Sequence, residues 1–531
     1  MHTLCFTKAT TMQYFTFALC LPRTKFTLKW RGGVAVLNPA NAMLTYFKPK
    51  LKENKIVQAI NRYLYSPWHV GVVVCLMLLS NLFSLEFPVM WCYLLLAGAT
   101  VLFADDAYPI VPLFCTGYML FSAGNNPTGD YETNDFNNPV NVAQMIAIGV
   151  LAGILIVSRL VFELVVVRRN NKKMPQLTAG FVALGIAYAL SGIFSHYDYF
   201  RSVVFGLVQI VSLCATYYFF FYTIDWSKRK VSDGAWIFTL IGIGMAVEVL
   251  GMYLKPHILQ KIADGTFTRS DLKSGWGVYN NVGGMMAMLM PAPFYFAATK
   301  KRGWIYVLLA SVLMMAVVLS QSRGAILAGA AVFVACTVFT FVYSKKVNHK
   351  KFALTFASIY AAVILIFVVL YFNDDYNSIL SSMLERGLDD SGRFEIYRIG
   401  LTQFTEAPFF GNGFYSSEGL VFQHGQENIP EGYFLPPRYH NTVVQLLASC
   451  GAVGLIAYGY HRLQTIKLFL KKPSAHKTFL GMGLLALVLA GMVDCHMFNM
   501  GPGLTYGVML LFAEMLPSGE SAQQPLLQQN N

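Results

Sequence analysis

Three polar side chains in an otherwise apolar chain are placed where they could do chemistry. His440 heads the run "RYHNTVVQLLASCGAVGL", Arg438 to Leu455. At the N-terminus of a helix the dipole disfavours imidazolium, so the ring stays neutral and able to accept a proton, as a general base must. A histidine that merely hydrogen-bonds the helix end fits the same position. Arg323 sits in "VVLSQSRGAILAGAA", where Ser320 to Gly324 form a polar hinge between two apolar segments. A charge at that depth is costly unless it snorkels, pairs or serves a ligand. Arg393 opens "RFEIYRIGLTQFTEAPFFGNGF", a stretch with helical spacing of Phe394, Tyr397, Leu401 and Phe404 that Ser391 or Asp390 can cap. A cation in a first turn opposes the macrodipole and so wants a reason. Between Asn373 and Tyr439 there are ten Asp and Glu, no lysine, and four arginines: Arg386, Arg393, Arg398 and Arg438. Arginine alone suits planar, bidentate recognition of an anion such as phosphate, and for any one of the four a surface ion pair serves equally well.

The elements that must hold these groups are membrane helices. Of 531 residues 55% are hydrophobic and 13% charged, with a mean hydropathy of +0.49, a mixture foreign to soluble domains. Apolar runs near the 20 residues needed to cross about 30 Å of hydrocarbon recur along the chain. The reading is an all-α integral membrane protein with about 12–14 transmembrane helices and one large extracytoplasmic loop containing short helices. The expected segments begin near 68–84 and end near 502–516, with 281–298, 441–460 and 478–497 among them. The net charge of +13 raises nucleic acid as a partner. Its basic residues, however, sit in short clusters between spans, at Arg168, Ser227, Lys300 and Lys345, which is the positive-inside pattern and points to membrane lipids instead. By that rule both termini are cytoplasmic. The plan is then 1–42 a disordered extension or misassigned start, 43–67 a basic cytoplasmic segment, 68–372 transmembrane helices 1–11, 373–440 the extracytoplasmic loop, 441–516 transmembrane helices 12–14, and 517–531 a cytoplasmic tail. Nine cysteines are scattered without paired spacing, so neither a disulfide framework nor a zinc site follows.

"HN", nine residues and "GAVG" match the His-Asn-x9-Gly-x-x-Gly pattern of the O-antigen ligase and O-antigen polymerase superfamily, which this chain resembles in three further places. "QSRGAIL" is similar to its Ser-Arg-Gly segment, "SGRFEIYRIGL...APFFGNG" to its outer-loop Arg helix with Pro and Gly-x-Gly, and "NNVGGMMAMLMPAPF" to its Asn-rich span. The ordered likeness runs from Asn280 to about Tyr460. It implies a metal-independent glycosyltransferase without a cofactor, in the bacterial cytoplasmic membrane. The donor would be a polyprenyl-diphosphate-linked glycan and the acceptor a hydroxyl on lipid, glycan or protein. It also implies His440 as base and Arg323 and Arg393 on the diphosphate; Asn441, Arg398 and Arg438 are weaker candidates for substrate contact, Arg438 by its place two residues before His440 and outside the family pattern.

The other class that fits these residues is a transporter or flippase for polyprenyl-linked saccharides, whose outer arginines would only bind. Transporters often carry repeated halves, and the two halves here are unlike. Glu248, Asp494 and His496 either line an acceptor pocket or bond inside the bundle. Arg159 and Glu163, four apart, read as an ordinary helix pair, and Asp105 and Asp106 fall at a cytoplasmic helix end.

Overall fold

In hydrocarbon a backbone must satisfy its own N–H and C=O groups, so long apolar runs fold as helices. The computed structural model describes residues 26–30, 33–37, 54–83, 85–120, 139–167, 174–195, 199–268, 271–274, 277–343, 349–372, 392–414 and 439–516. Each expected apolar segment falls on helix. In order these are α1 (Lys55–Leu64), α2 (Pro67–Phe83), α3 (Glu86–Phe103), α4 (Ile110–Gly117), α5 (Pro139–Val161), α6 (Thr178–Ala189), α7 (Tyr199–Thr223), α8 (Val231–Tyr253), α9 (Pro256–Ala263), α10 (Tyr279–Leu289), α11 (Ala292–Thr299), α12 (Gly303–Leu319), α13 (Arg323–Tyr343), α14 (His349–Phe372), α15 (Arg393–Glu406), α16 (Thr442–Leu470), α17 (Ala475–Ala490) and α18 (Met500–Met515). The fold is an all-α integral membrane protein with two small antiparallel hairpins, Phe26–Trp30 with Gly33–Leu37 and Lys273–Ser274 with Gly277–Val278. The first hairpin falls in the stretch expected to be a disordered extension.

Among the described residues, seven helices are long and apolar enough to cross a membrane, or eight if α1 and α2, bent by 66°, form one broken span. The expected 12–14 crossings also counted shorter apolar helices such as α6, whose 12 residues rise only about 18 Å. The span made of α10 and α11 is the centre of the bundle, 89% buried, whereas Val140–Leu164 is 6% buried and lies at its edge. Pro291 has no N–H to continue α10, which is why the central span breaks there. Two boundaries differ from expectation. α16 runs to Leu470, ten residues past the expected end, and α17 stops at Ala490, leaving 491–499 as a connection.

The polar contacts separate the bundle into two ends. At one, the buried Asp106 carboxylate accepts from the Tyr65 hydroxyl (2.8 Å), the Asp225 N–H (3.0 Å) and Arg229 Nη2 (3.2 Å). The Arg229 guanidinium lies 4.6 Å from both the Tyr65 and Tyr108 rings. Phe512 packs on Tyr108 and Trp226, Glu514 accepts from the Gln176 N–H, and Tyr343 bonds Thr478. Arg159 does pair with Glu163 at 2.6 Å, but both are buried, and Arg159 also donates to the Ala104 carbonyl (3.0 Å) at the end of α3. That makes it a tie between helices as well as a pair within one. The opposite end gathers the hinge 320–322, the segment 392–414, residues 439–441 and the connection 491–499.

Candidate functional site

The connection between α17 and α18 is the piece on which the site is built. Asn441 is the N-cap of α16: its Oδ1 accepts from the Val443 and Val444 N–H groups (2.8 and 3.1 Å), while its Nδ2 donates to the Met492 carbonyl (2.8 Å). The Thr442 N–H donates to the Gly491 carbonyl at 2.8 Å. With α16 so moored, His440 precedes the helix in the left-handed region, φ +50°, a conformation that costs a non-glycine residue of order 1–3 kcal/mol. His440 therefore stands outside the helical wheel of α16. The ring instead turns to the connection, where Nδ1 lies 3.4 Å from Oδ1 of Asp494, with the histidine a third exposed and the carboxylate 5% exposed.

Asp494 was legible as an intramembrane charge but not as the partner of His440. Burial opposes its ionisation. The adjoining His440 ring, the charge of His496 and the Cys495 N–H (2.6 Å) outweigh that burial and hold the carboxyl well below its ordinary range. His496 itself is buried, its ring packed against Gly284 of α10. Asn499 Nδ2 donates to Asn281 Oδ1 at 2.5 Å. The Asn-rich opening of α10 thus meets the same connection. Glu248 is buried in α8 within electrostatic reach of Tyr118, whose ring packs on Gly501.

Arg323 is the first residue of α13 and half-buried. The hinge before it is held by Tyr253, which donates to the Leu319 carbonyl (2.7 Å) and accepts from Gln321 Nε2 (3.3 Å). Gln321 has φ +55°. Gly324, next to Arg323, lies so close to Val493 that a Cβ there would collide with it, and Val493 is next to Asp494. Arg323 and the His440–Asp494 pair therefore flank one contact.

Arg393 approaches from α15. Its helix begins after Gly392 at φ +74°, and Ser391 and Asp390, the expected caps, lie outside the described residues. The buried face is Ile396, Gly400 and Gln403, while Phe394 and Leu401 are exposed. One turn beyond Arg393, the Tyr397 hydroxyl donates to the His440 carbonyl at 3.2 Å. Burial pushes the Tyr397 phenol up, and the Arg393 guanidinium and the Asn441 side chain pull it back. Arg398 is exposed and pairs with Glu395 at 2.8 Å, which is the surface ion pair considered above. Arg438 lies outside the described residues.

α15 is locked to α16 by the turn that follows it. At Gly451 the helix kinks, φ 63° and ψ −161°. The turn inserts there, with Asn412 and Gly413 N–H groups donating to the Ala448 and Ser449 carbonyls (2.8 and 2.9 Å), and the Ala452 and Val453 N–H groups donating to the Pro408 and Phe409 carbonyls (2.8 and 3.1 Å). A Cβ on Gly451 or on Gly411, φ +68°, would strike the other strand of this lock. What closes on Gly451 is thus a loop.

Residues 306–459 match the family described as O-Antigen ligase. The chain carries an O-antigen ligase domain. No curated protein matches the chain. The ligase domain brings with it glycan transfer in general, from a lipid-linked glycan, in a multi-pass membrane protein. Its matched span contains Arg323, Arg393, His440 and both halves of the glycine lock. The connection with Asp494 lies beyond it. Among the described residues no group of three His, Cys, Asp or Glu side chains is placed to hold a metal ion.

Proposed function

We propose that the protein transfers a glycan from a polyprenyl-diphosphate carrier to an acceptor hydroxyl, as ligase or polymerase, on the outer face of the cytoplasmic membrane. The observation that carries this is the His440–Asp494 contact at 3.4 Å. With Nδ1 facing the carboxylate, Nε2 is the nitrogen left to accept a proton. His440 takes the acceptor's hydroxyl proton as its oxygen bonds the anomeric carbon. The bond from that carbon to the diphosphate oxygen breaks, and polyprenyl diphosphate departs with the electron pair. Asp494 stabilises the imidazolium so formed, and Arg323 and Arg393 offset the charge on the leaving group. No step calls on a metal, so transfer is expected to continue in EDTA. The basic residues Lys228, Arg229, Lys300 and Lys301 fall at the far end of the bundle, which supports an outward-facing site under the positive-inside rule.

The test uses purified protein in lipid with a polyprenyl-diphosphate glycan, and measures retained donor and product separately. His440→Ala is expected to keep donor binding and to lose roughly a hundred- to ten-thousand-fold in turnover. Arg323→Lys and Arg393→Lys are expected to weaken donor binding as well, because an ammonium lacks the guanidinium fork. Normal product from His440→Ala, with failed movement of the carrier across the bilayer, would put a flippase in place of the transferase.

A further inference from the structure

We propose that Gln445 is the positioning residue of the His440–Asp494 pair, an inference that rests on the reading of His440 as the base. Gln445 is buried one turn into α16. A backbone N–H can only donate, so the Tyr439 N–H fixes the amide: Oε1 faces it at 3.1 Å. The same oxygen accepts from Sγ of Cys495 at 3.5 Å, and Nε2 donates to Ser449 Oγ at 3.0 Å. Tyr439 immediately precedes His440, and Cys495 immediately follows Asp494. One amide oxygen therefore holds the chain beside both members of a pair that are 54 residues apart in sequence.

The pair needs such a hold. His440 stands at φ +50°, and a left-handed non-glycine residue relaxes unless its surroundings over-determine it. Tyr439 is fixed at its other end as well, its hydroxyl donating to Gln403 Oε1 on α15. The Gln403 carbonyl in turn accepts from Asn412 Nδ2 at 2.9 Å, inside the glycine lock. A buried polar chain thus runs from the lock, through Gln403 and Tyr439, to Gln445 and on to Cys495, whose N–H meets Asp494. The hydrogen bonds of Gln445 go to neighbours of the pair, not to its ring or carboxylate, and it acts through those neighbours.

Gln445→Leu keeps the volume and removes the acceptor. Gln445→Glu keeps an oxygen for the Tyr439 N–H and the Cys495 thiol, and its second oxygen accepts from a turned Ser449 hydroxyl. The leucine variant is expected to lose roughly ten- to a hundredfold in kcat at unchanged KM for the donor, the cost of a base misplaced by about an ångström. The glutamate variant recovers most of that loss. In the same proteins the carbethoxylation rate of His440, read by peptide mass spectrometry, shifts in the leucine variant and returns in the glutamate variant. An unchanged His440 rate in Gln445→Leu overturns the proposal, as does an equal loss of kcat, KM and thermal stability in both variants. Should the leucine variant fail to fold, the glutamate variant decides: turnover near that of the unaltered protein supports the role, and its loss refutes it. Absence of transfer by the unaltered protein would count against the ligase reading alone, since the His440 rates still report the positioning.

Discussion

A carboxylate as deeply buried as Asp494 would ordinarily surrender its charge. Here the basic groups around it reverse that tendency and hold it ionised. Its folded-state pKa is depressed, so the stability it contributes is present above the unfolded value near 4 and fades as pH falls toward the folded one. Asp494→Asn is therefore expected to lower the unfolding midpoint at neutral pH, with the gap to the unaltered protein closing below about pH 4; a gap independent of pH would contradict this. In transfer assays the same change is expected to cost roughly a hundredfold or more, because the imidazolium loses its counter-charge and the ring its orientation. Arg393 was legible as a cation in the first turn of a loop helix, and His440 and Arg323 were each legible as polar residues out of place in apolar surroundings. Asp494 was legible in the same way, but its hydropathy context continues the preceding span and hides that the helix stops at Ala490. Only that early stop frees the carboxylate to meet a ring 54 residues away in sequence.

At the scale of elements, the long spans could be read from length and apolarity because hydrocarbon leaves the backbone one choice. α15 was harder. An amphipathic pattern assumes the largest apolar side chains are buried, yet the partner surface here is Tyr439, Val444 and Ala448 of the neighbouring segment, which admits Gly400 and Ile396 and leaves Phe394 outside. The physical meaning of the glycine in the His-Asn-x9-Gly spacing is a kink that opens backbone groups to a loop. Gly451→Ala would force a Cβ into the left-handed region and against the Phe409 carbonyl. A loss of about 1–3 kcal/mol in stability is expected, together with slower turnover as α15 loosens. Gly459→Ala, on the same helix with open space around it, is the control and should leave both unchanged. Equal thermal midpoints for the two variants would show that the lock carries no stress.

Across the whole molecule, the separation of polar contacts into two ends is what gives the bundle a direction. The basic end carries Lys228, Arg229 and Lys301, and the other end carries the exposed residue Thr266 after α9. In a background without native cysteines, Lys301→Cys should react with a membrane-impermeant maleimide only after the cells are opened, and Thr266→Cys in intact cells. The reverse pattern would turn the site to the cytoplasm. The cluster at the basic end has a consequence in time as well as in space. Arg229 is made 123 residues after the Asp106 it pairs with, and at about 5–20 residues per second that is an interval of roughly 6–25 s of synthesis. During that interval the α3–α4 hairpin already has Asp106 and the Tyr65 hydroxyl in hand, but its arginine has yet to leave the ribosome. The first helices must therefore wait beside the insertion machinery in an unfinished state, and the arrival of the α7–α8 turn is the moment at which this half of the bundle can close.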